Sequence, residues 1–234
     1  MPRLGSLSSR SLTGVGLKNP PLVYVDYSYA TAAFTSGGSY VSDPTVASGG
    51  YLVLRNPNNG SGVTFDLLKT INVSEPFTFE FWLKGNYTPT NIPISVGDAS
   101  AGNSVGLNFF NWLSSTSGSI IGTQYYNNGA GQGSAIAVTT ANTWMHVAFE
   151  VNASRQVRLY FDGSYRGVAL NGINNVAYSR VQLGQLLYRT GTQGTYSNLG
   201  PAHLYKGLGF NTNGSYTIPN SAYTANANTL FLGQ

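Results

Sequence analysis

The chain has 234 residues, with 12 Lys and Arg against 8 Asp and Glu, and contains no cysteine. Charged residues make up 9% of it, where about 25% is usual, while 41% is apolar and 13% is aromatic. These values exclude a disulfide scaffold and a thiolate metal site, and the apolar content is sufficient for a folded core. No apolar run approaches the roughly 18 residues of a membrane-spanning helix. The Lys and Arg residues form no cluster of the kind that nucleic-acid binders carry, so the sequence predicts neither a nucleic-acid partner nor membrane insertion.

The first 21 residues form a basic segment that contains no acidic side chain. The segment is rich in Ser and Gly, and it lacks the apolar core of a secretory signal. Pro20 and Pro21 make a stiff junction, because neither can donate a backbone hydrogen bond. We interpret residues 1–21 as an extended arm that anchors the chain to another protein, and residues 22–234 as one domain. The expected anchoring side chains are Arg3, Leu4, Leu7, Arg10, Leu12, Leu17 and Lys18.

Alternation of apolar and polar residues predicts β-strands along the chain. Residues 77–84 (FTFEFWLK), 144–151 (WMHVAFEV) and 157–161 (VRLYF) each put large apolar side chains on one face. We expect the opposite faces to meet solvent, so each strand is predicted to be half-buried. Turn pairs such as Asp162-Gly163 separate the strands, and no window has the apolar stripe of a helix. The pattern predicts an all-β sandwich or barrel.

Residues 99–149 contain no charged side chain and are rich in Gly, Ser, Asn and Thr. Two interpretations stay open. The region is either a contact surface, since the cores of interfaces lose charge and gain aromatic residues, or a set of long loops with two or three strands. We predict a sugar-binding loop within it, because an aromatic ring can stack on a sugar while amides hold its hydroxyl groups. The candidate glycan contacts are Tyr125, Tyr126, Asn127 and Asn128, with Tyr188 and Tyr196 as weaker ones.

The segment 144–167 (WMHVAFEVNASRQVRLYFDGSYRG) is more specific than an ordinary strand pattern. Its distinctive positions are Trp144, His146, Val147, Ala148, Leu159, Tyr160, Phe161, Asp162 and Gly163. This segment resembles the concanavalin A-like lectin/glucanase superfamily, in its laminin-G-like branch. Residues 195–219 are similar to a closing segment of phage and bacterial members. The resemblance covers about residues 50–232 and implies a jelly-roll β-sandwich of two antiparallel sheets. The family includes lectins, adhesion modules, glycosidases and viral structural proteins, so the fold does not settle the function.

Catalytic and metal-binding groups are scarce. A glycosidase needs two carboxyl groups in one cleft, roughly 5–9.5 Å apart, and the glucanases of this fold carry them in a Glu-x-Asp-x-x-Glu motif that this sequence lacks. Glu80 and Glu150 could share a sheet face, but nearby His146, Lys84 and Arg158 favour cross-strand ion pairs. We therefore predict that the chain is not an enzyme. We also predict no cofactor, and the one candidate position for Ca²⁺ is Asp98, with loop carbonyls and Asn103.

Together these features predict a non-enzymatic structural or adhesive protein of a tailed-phage virion, either a head decoration or a tail or fibre component. Its arm would bind a capsid or tail protein, its sandwich would be displayed, and it would form a homo-oligomer that meets a host-surface glycan. The alternative is a free carbohydrate-binding lectin, and a glycan-cleaving enzyme using Glu80 and Glu150 comes third.

Overall fold

The structure, a computed structural model, has β-strands as its regular secondary structure throughout the residues that it describes, as the sequence predicts. Those parts contain no helix long and apolar enough to span a membrane. The predicted anchoring arm, Asn103, Asn128 and Tyr188 lie outside them. The described residues are 23–25, 38–43, 46, 49–56, 63–72, 75–85, 91–98, 105–114, 118–127, 130–139, 143–172, 177–184, 195–210 and 214–234.

The strands form two sheets. Sheet A has the order β1-β15-β14-β5-β10-β11-β12, with β3 also pairing to β14 and β2 to β3, and sheet B has the order β4-β13-β6-β7-β8-β9. The strands are β1 (Val23–Val25), β2 (Gly38–Ser42), β3 (Gly50–Asn56), β4 (Val63–Ile71), β5 (Phe77–Gly85), β6 (Asn91–Asp98), β7 (Val105–Ser114), β8 (Gly118–Asn127), β9 (Ala130–Thr139), β10 (Trp144–Val151), β11 (Val157–Phe161), β12 (Ser164–Leu170), β13 (Tyr178–Leu183), β14 (Thr195–Lys206) and β15 (Thr229–Gly233).

The predicted sandwich of antiparallel sheets is confirmed, with one departure. The short strand β1 runs parallel to β15, with Val23 opposite Phe231. The predicted hairpin between β11 and β12 turns on Asp162 and Gly163, whose φ angles of 43° and 77° lie in the left-handed region that such a two-residue turn needs. Part of the charge-free region, residues 105–139, contains the ten-residue strands β7, β8 and β9 rather than mainly loops.

The hydrophobic core lies between the inner faces of the two sheets. Phe77, Phe79 and Phe81 of β5 are fully buried there, in the row that the alternation of the sequence predicts. The Phe77 ring meets Tyr178 of sheet B edge-on, with the ring centroids 5.3 Å apart. This packing of apolar rows from both sheets is what holds the sandwich together.

The prediction that β5 and β10 are half-buried is wrong for most of their length, because both faces are covered except at Trp82, Lys84 and Trp144, which are half-buried. On the outer face of sheet A, Thr78, His146 and Glu150 are as inaccessible to solvent as the core. The cover is the chain between β14 and β15, described for residues 207–210 and 214–228 and called here the crossing segment. Thr78 Oγ1 donates to the Gly207 carbonyl at 2.9 Å and accepts from the Gly209 amide at 2.9 Å. Alternation could not reveal this cover, which contains no regular strand.

Candidate functional site

The outer face of sheet A gathers the polar and aromatic side chains of three adjacent strands. Register places His203 of β14 opposite Glu80 of β5, and Trp82 of β5 opposite His146 of β10. Two neighbouring groups of residues lie on this face. The polar network consists of Glu80, His146, His203, Tyr216, Tyr223 and Thr229. The aromatic patch consists of Tyr51, Trp82 and Trp144 around Gly200, with Lys84 and Asn198.

Glu80 lies at the centre of the polar network between two imidazole rings. Its Oε2 is 3.3 Å from His146 Nε2, and its Oε1 is 3.3 Å from His203 Nδ1. The relative exposures are 6% for Glu80, 0% for His146 and 6% for His203, so solvent does not compete for these contacts. Each carboxylate oxygen of Glu80 therefore has an imidazole partner.

The remaining ring nitrogens contact the crossing segment and the start of β15. His146 Nδ1 is hydrogen-bonded to the Tyr216 hydroxyl, and His146 Nε2 lies 2.8 Å from the Tyr223 hydroxyl. His203 Nε2 lies 3.0 Å from Thr229 Oγ1. The set is satisfied with both imidazoles neutral, because one N–H of each ring can donate to Glu80 while the Tyr216 and Thr229 hydroxyls donate to the other nitrogens. These contacts give His146 a structural role on the outer face of sheet A.

The two acids on this face have opposite electrostatic environments. Burial opposes the ionisation of Glu80, but the hydrogen bonds of His146 and His203 outweigh it and hold the pKa of Glu80 below its usual value. Glu150 accepts from the Tyr160 hydroxyl at 2.8 Å and from the Phe210 amide at 2.5 Å. Burial nevertheless raises the pKa of Glu150 above its usual value, and these hydrogen bonds offset only part of that effect.

Glu80 and Glu150 do share a sheet face, as the sequence allowed. Glu80 is opposite Ala148 and Glu150 is opposite Thr78, so the two acids are diagonal neighbours. Residues so related are about 7–8 Å apart, a spacing that would suit a glycosidase. However, both carboxylates are buried and hydrogen-bonded beneath the crossing segment. Glu80 contacts His146 across the two strands at 3.3 Å, and Glu150 lies opposite Arg158 of β11, while ion pairing of these acids stays a prediction.

Lys84 belongs to the aromatic patch rather than to an acid pair. It lies opposite Trp144 on one side and Asn198 on the other. The Trp144 and Tyr51 rings meet edge-on with their centroids 5.2 Å apart, although Tyr51 is on β3 and two strands separate β3 from β10. The Trp144 indole therefore extends across the sheet. Gly200 leaves the room for it, because a Cβ there would lie 3.4 Å from Trp144 Cζ3 and 2.9 Å from Trp82 Cβ.

Two polar atoms of the aromatic patch are unsatisfied. The Trp82 indole Nε1 and the Asn198 side-chain Oδ1 are buried and have no hydrogen-bond partner in the structure as described. Leaving a buried donor or acceptor unpaired costs about 1–3 kcal/mol, so such atoms are rare in folded proteins. In the polar network, by contrast, Glu80 lies only two positions before Trp82 on β5 and both of its oxygens have partners.

The structure also locates the residues predicted from sequence. Tyr125, Tyr126 and Asn127 end strand β8, so the prediction that they lie on a loop is wrong. Asp98 ends strand β6. Neither arrangement tests glycan or Ca²⁺ binding, which stay predictions, and the described residues contain no group of three or more His, Asp or Glu that could hold a metal ion.

Four members of the polar network were not recognised from the sequence. They are His203, Tyr216, Tyr223 and Thr229, which come from the last 32 residues, positions 203 to 234. The contact from His203 to Glu80 joins positions 123 residues apart, a separation that no local motif encodes. The available signal was an aromatic-rich stretch without alternation after β14.

Comparison with known proteins now identifies the fold family. Residues 57–197 match the laminin-G-type profile described as the concanavalin A-like lectin/glucanases superfamily. The chain belongs to this superfamily. Its match covers more than half of the sequence, and it confirms the resemblance inferred from the segment around Trp144. No curated protein sequence matches the chain.

Several solved structures resemble the fold of the chain at low sequence identity. Full-length tailspike protein 2 of Escherichia coli O157:H7 bacteriophage CAB120 aligns with a TM-score of 0.54 and 10% identity, over 74% of this chain and 25% of that one. The enzymatically active domain of tailspike protein 2 of bacteriophage CBA120 gives 0.53 and 10%, over 74% and 28%. The potassium-bound carbohydrate recognition domain of Emp46p gives 0.50 and 10%, over 81% and 96%. The chain thus spans about a quarter of the tailspike chains, and the likeness concerns the fold.

Proposed function

We propose that this chain is a non-enzymatic, lectin-like structural or adhesive protein of a tailed-phage particle. The observation that carries the non-enzymatic part is the state of Glu80 and Glu150. The two acids that share the outer face of sheet A are buried, each hydrogen-bonded and covered by the crossing segment. A general acid must reach the oxygen of the glycosidic bond, and neither carboxyl group is open to a substrate.

The phage part of the proposal is supported by the basic arm and by the fold. Residues 1–21 carry three cations and no acid, a composition suited to anchoring on another protein. The same sandwich fold occurs in the tailspike proteins described above. The location we propose is therefore the virion, with a capsid or tail protein as the partner of the arm and with further copies of the chain as neighbours.

Particle association is tested with purified virions. Phage particles from a culture producing this chain, separated on a density gradient, should contain it by mass spectrometry. Removing residues 1–21 should abolish incorporation while leaving the circular dichroism of the sandwich unchanged. A chain that remains in the soluble fraction, or a truncated chain that still enters particles, would overturn the anchoring role.

Enzymatic activity is tested separately, because one of the similar tailspike domains is described as enzymatically active. The purified chain should release no reducing ends from a panel of bacterial polysaccharides. Turnover that disappears in Glu80→Gln or Glu150→Gln would contradict the proposal and restore the glycosidase alternative.

A free lectin is the second candidate, favoured by the likeness to the Emp46p carbohydrate recognition domain over 96% of that domain. Its predictions differ from those of the first candidate. A free lectin binds glycans but is absent from particles, and deletion of residues 1–21 leaves its fold and its glycan affinity unchanged.

A further inference from the structure

We propose that the aromatic patch, residues Tyr51, Trp82, Lys84, Trp144, Asn198 and Gly200, binds a pyranose ring of a glycan. The inference deepens the lectin-like part of the proposed function and rests on it. It moves the glycan contacts from the end of β8 on sheet B to the outer face of sheet A. The described side chains of the patch are all half-buried, so the patch is neither closed core nor free surface.

The first argument is the shape of the patch. Trp144 extends across the sheet over Gly200 to meet Tyr51 edge-on, with the ring planes 70° apart, so two aromatic rings lie side by side over the backbone. The face of one such ring matches the C–H face of a pyranose. Trp82 is held edge-on against His146 with centroids 5.4 Å apart, so the neighbouring polar network keeps this side of the patch in position.

The second argument is the chemistry of the two unsatisfied atoms. Trp82 Nε1 can only donate a hydrogen bond, and Asn198 Oδ1 can only accept one. A sugar hydroxyl both donates and accepts, so adjacent hydroxyls of one ring can satisfy both atoms. The Lys84 ammonium, between Trp144 and Asn198 in register, supplies a third donor. Sites for small ligands combine an apolar surface with a few placed polar groups in the same way.

Access requires one side chain to move. Trp82 Nε1 and Asn198 Oδ1 are both closed to solvent in this conformation. Lys84, directly opposite Asn198 and two positions from Trp82 along β5, is the patch residue with a long, unbranched and flexible side chain, and it is half-buried. We infer that its displacement opens the two atoms to the hydroxyl groups of the ligand, after which the ammonium rejoins the ring from the edge.

The test uses substitutions for which a structural role and a binding role predict different effects on sugar affinity. Trp82→Phe removes the unpaired donor and keeps an aromatic ring, and Asn198→Leu removes the unpaired acceptor at similar volume. If these atoms only pack, both variants are as stable as wild type or more stable, and binding does not change. If they hold a sugar, stability is maintained but affinity falls by about tenfold in each variant.

The probes are the methyl pyranosides of glucose, galactose, mannose and N-acetylglucosamine, followed by saturation-transfer NMR and tryptophan fluorescence of the full chain. Tyr165→Phe, which removes a half-buried hydroxyl on β12 outside the patch, is the matched control and should bind like wild type. Gly200→Ala should also weaken binding, because the added Cβ collides with Trp82 Cβ. Thermal unfolding of every variant shows whether the fold is kept.

Three outcomes separate this inference from the proposed function. Affinity that is unchanged in both Trp82→Phe and Asn198→Leu overturns the patch as the site, whatever the particle experiment gives. No binding by wild type to any probe also overturns it, while a chain found in particles keeps its structural role. Binding that these variants weaken, in a chain absent from particles, supports the patch and favours the free lectin.

Discussion

The two halves of the outer face of sheet A share the three central strands β14, β5 and β10 and yet differ in how their polar atoms are satisfied. In the polar network, both oxygens of Glu80 and every ring nitrogen of His146 and His203 have a partner. In the aromatic patch, one donor and one acceptor have none among the described residues. The crossing segment accounts for the difference at His146, because the Tyr216 and Tyr223 hydroxyl groups complete the hydrogen bonds of that ring, and Thr229 of β15 does the same for His203.

This difference indicates which half stabilises the fold and which half is suited to a ligand. A buried polar network that is fully satisfied adds rigidity and fixes one arrangement of the chain. Unsatisfied polar atoms lower stability and persist where some other role retains them. Glycan chemistry is therefore better sought near Trp144 than near Glu80, even though Glu80 is the residue that a search for catalytic acids would select.

The largest effect is expected from removing the centre of the polar network. Glu80→Ala leaves two buried imidazole N–H groups without their shared acceptor, and each buried donor left unpaired costs about 1–3 kcal/mol. The free energy of unfolding in urea measures the loss. Hydrogen exchange should show that residues 214–228 open first, since His146 binds Tyr216 and Tyr223 of that segment and His203 binds Thr229 directly after it.

Asp66→Ala is the control for Glu80→Ala. Asp66 is also an ion-paired acid, with Arg180 Nε at 2.5 Å, but its side chain is 76% exposed on sheet B. We expect its removal to leave the unfolding free energy unchanged within error. Equal effects of the two substitutions would mean that Glu80 does not organise the outer face of sheet A.

A smaller effect distinguishes the two acids by pH. The lowered pKa of Glu80 means that its stabilising contribution is present above its unfolded value, near 4.5, and is lost as pH falls through the lower folded value. Glu150 has a raised pKa in the folded protein. Its stabilising contribution is therefore fully present below the pKa of the unfolded chain and is lost as pH rises through the pKa of the folded protein. The two acids therefore have opposite pH dependences.

Unfolding free energies of wild type, Glu80→Gln and Glu150→Gln between pH 7 and pH 3 check this prediction. The cost of Glu80→Gln should shrink as the solution becomes acidic. The stability of Glu150→Gln relative to wild type should be highest at neutral pH and fall on acidification, since the neutral amide avoids the buried charge that wild type carries there. Parallel trends in the two variants would contradict the assigned environments.

The fold could be predicted well from the sequence because the patterns that define the strands and turns are local. Alternation selected the inner rows of β5 and β10 correctly, and the Asp162-Gly163 pair located the hairpin turn. Both features depend on backbone preferences and on burial between two sheets. The same local rule assigned the outer rows to solvent, because a row containing Thr78 and Glu80 is typical of an exposed face.

The site could not be predicted to the same degree, because it depends on chain crossings. Tyr216 reaches His146 across 70 positions, and no periodic pattern marks the crossing segment. Gly163 shows how specific that packing is, since a Cβ there would lie 2.9 Å from the Tyr216 carbonyl. A glycine chosen for its turn conformation is thus also required by a contact that the sequence does not reveal.

The smallest predicted effect concerns the start of the crossing segment. Lys206 Nζ donates to Glu75 Oε2 at 2.5 Å, with side-chain exposures of 16% and 36%, and this hydrogen bond is the main reason that the pKa of Glu75 is lowered. Glu75→Gln should cost less than about 1 kcal/mol, because partly exposed pairs are screened by water and salt. Raising the salt concentration should remove most of the difference from wild type in urea unfolding. A large and salt-independent loss of unfolding free energy would contradict this prediction. It would show that the pair of Lys206 and Glu75 stabilises the protein as strongly as Glu80 does.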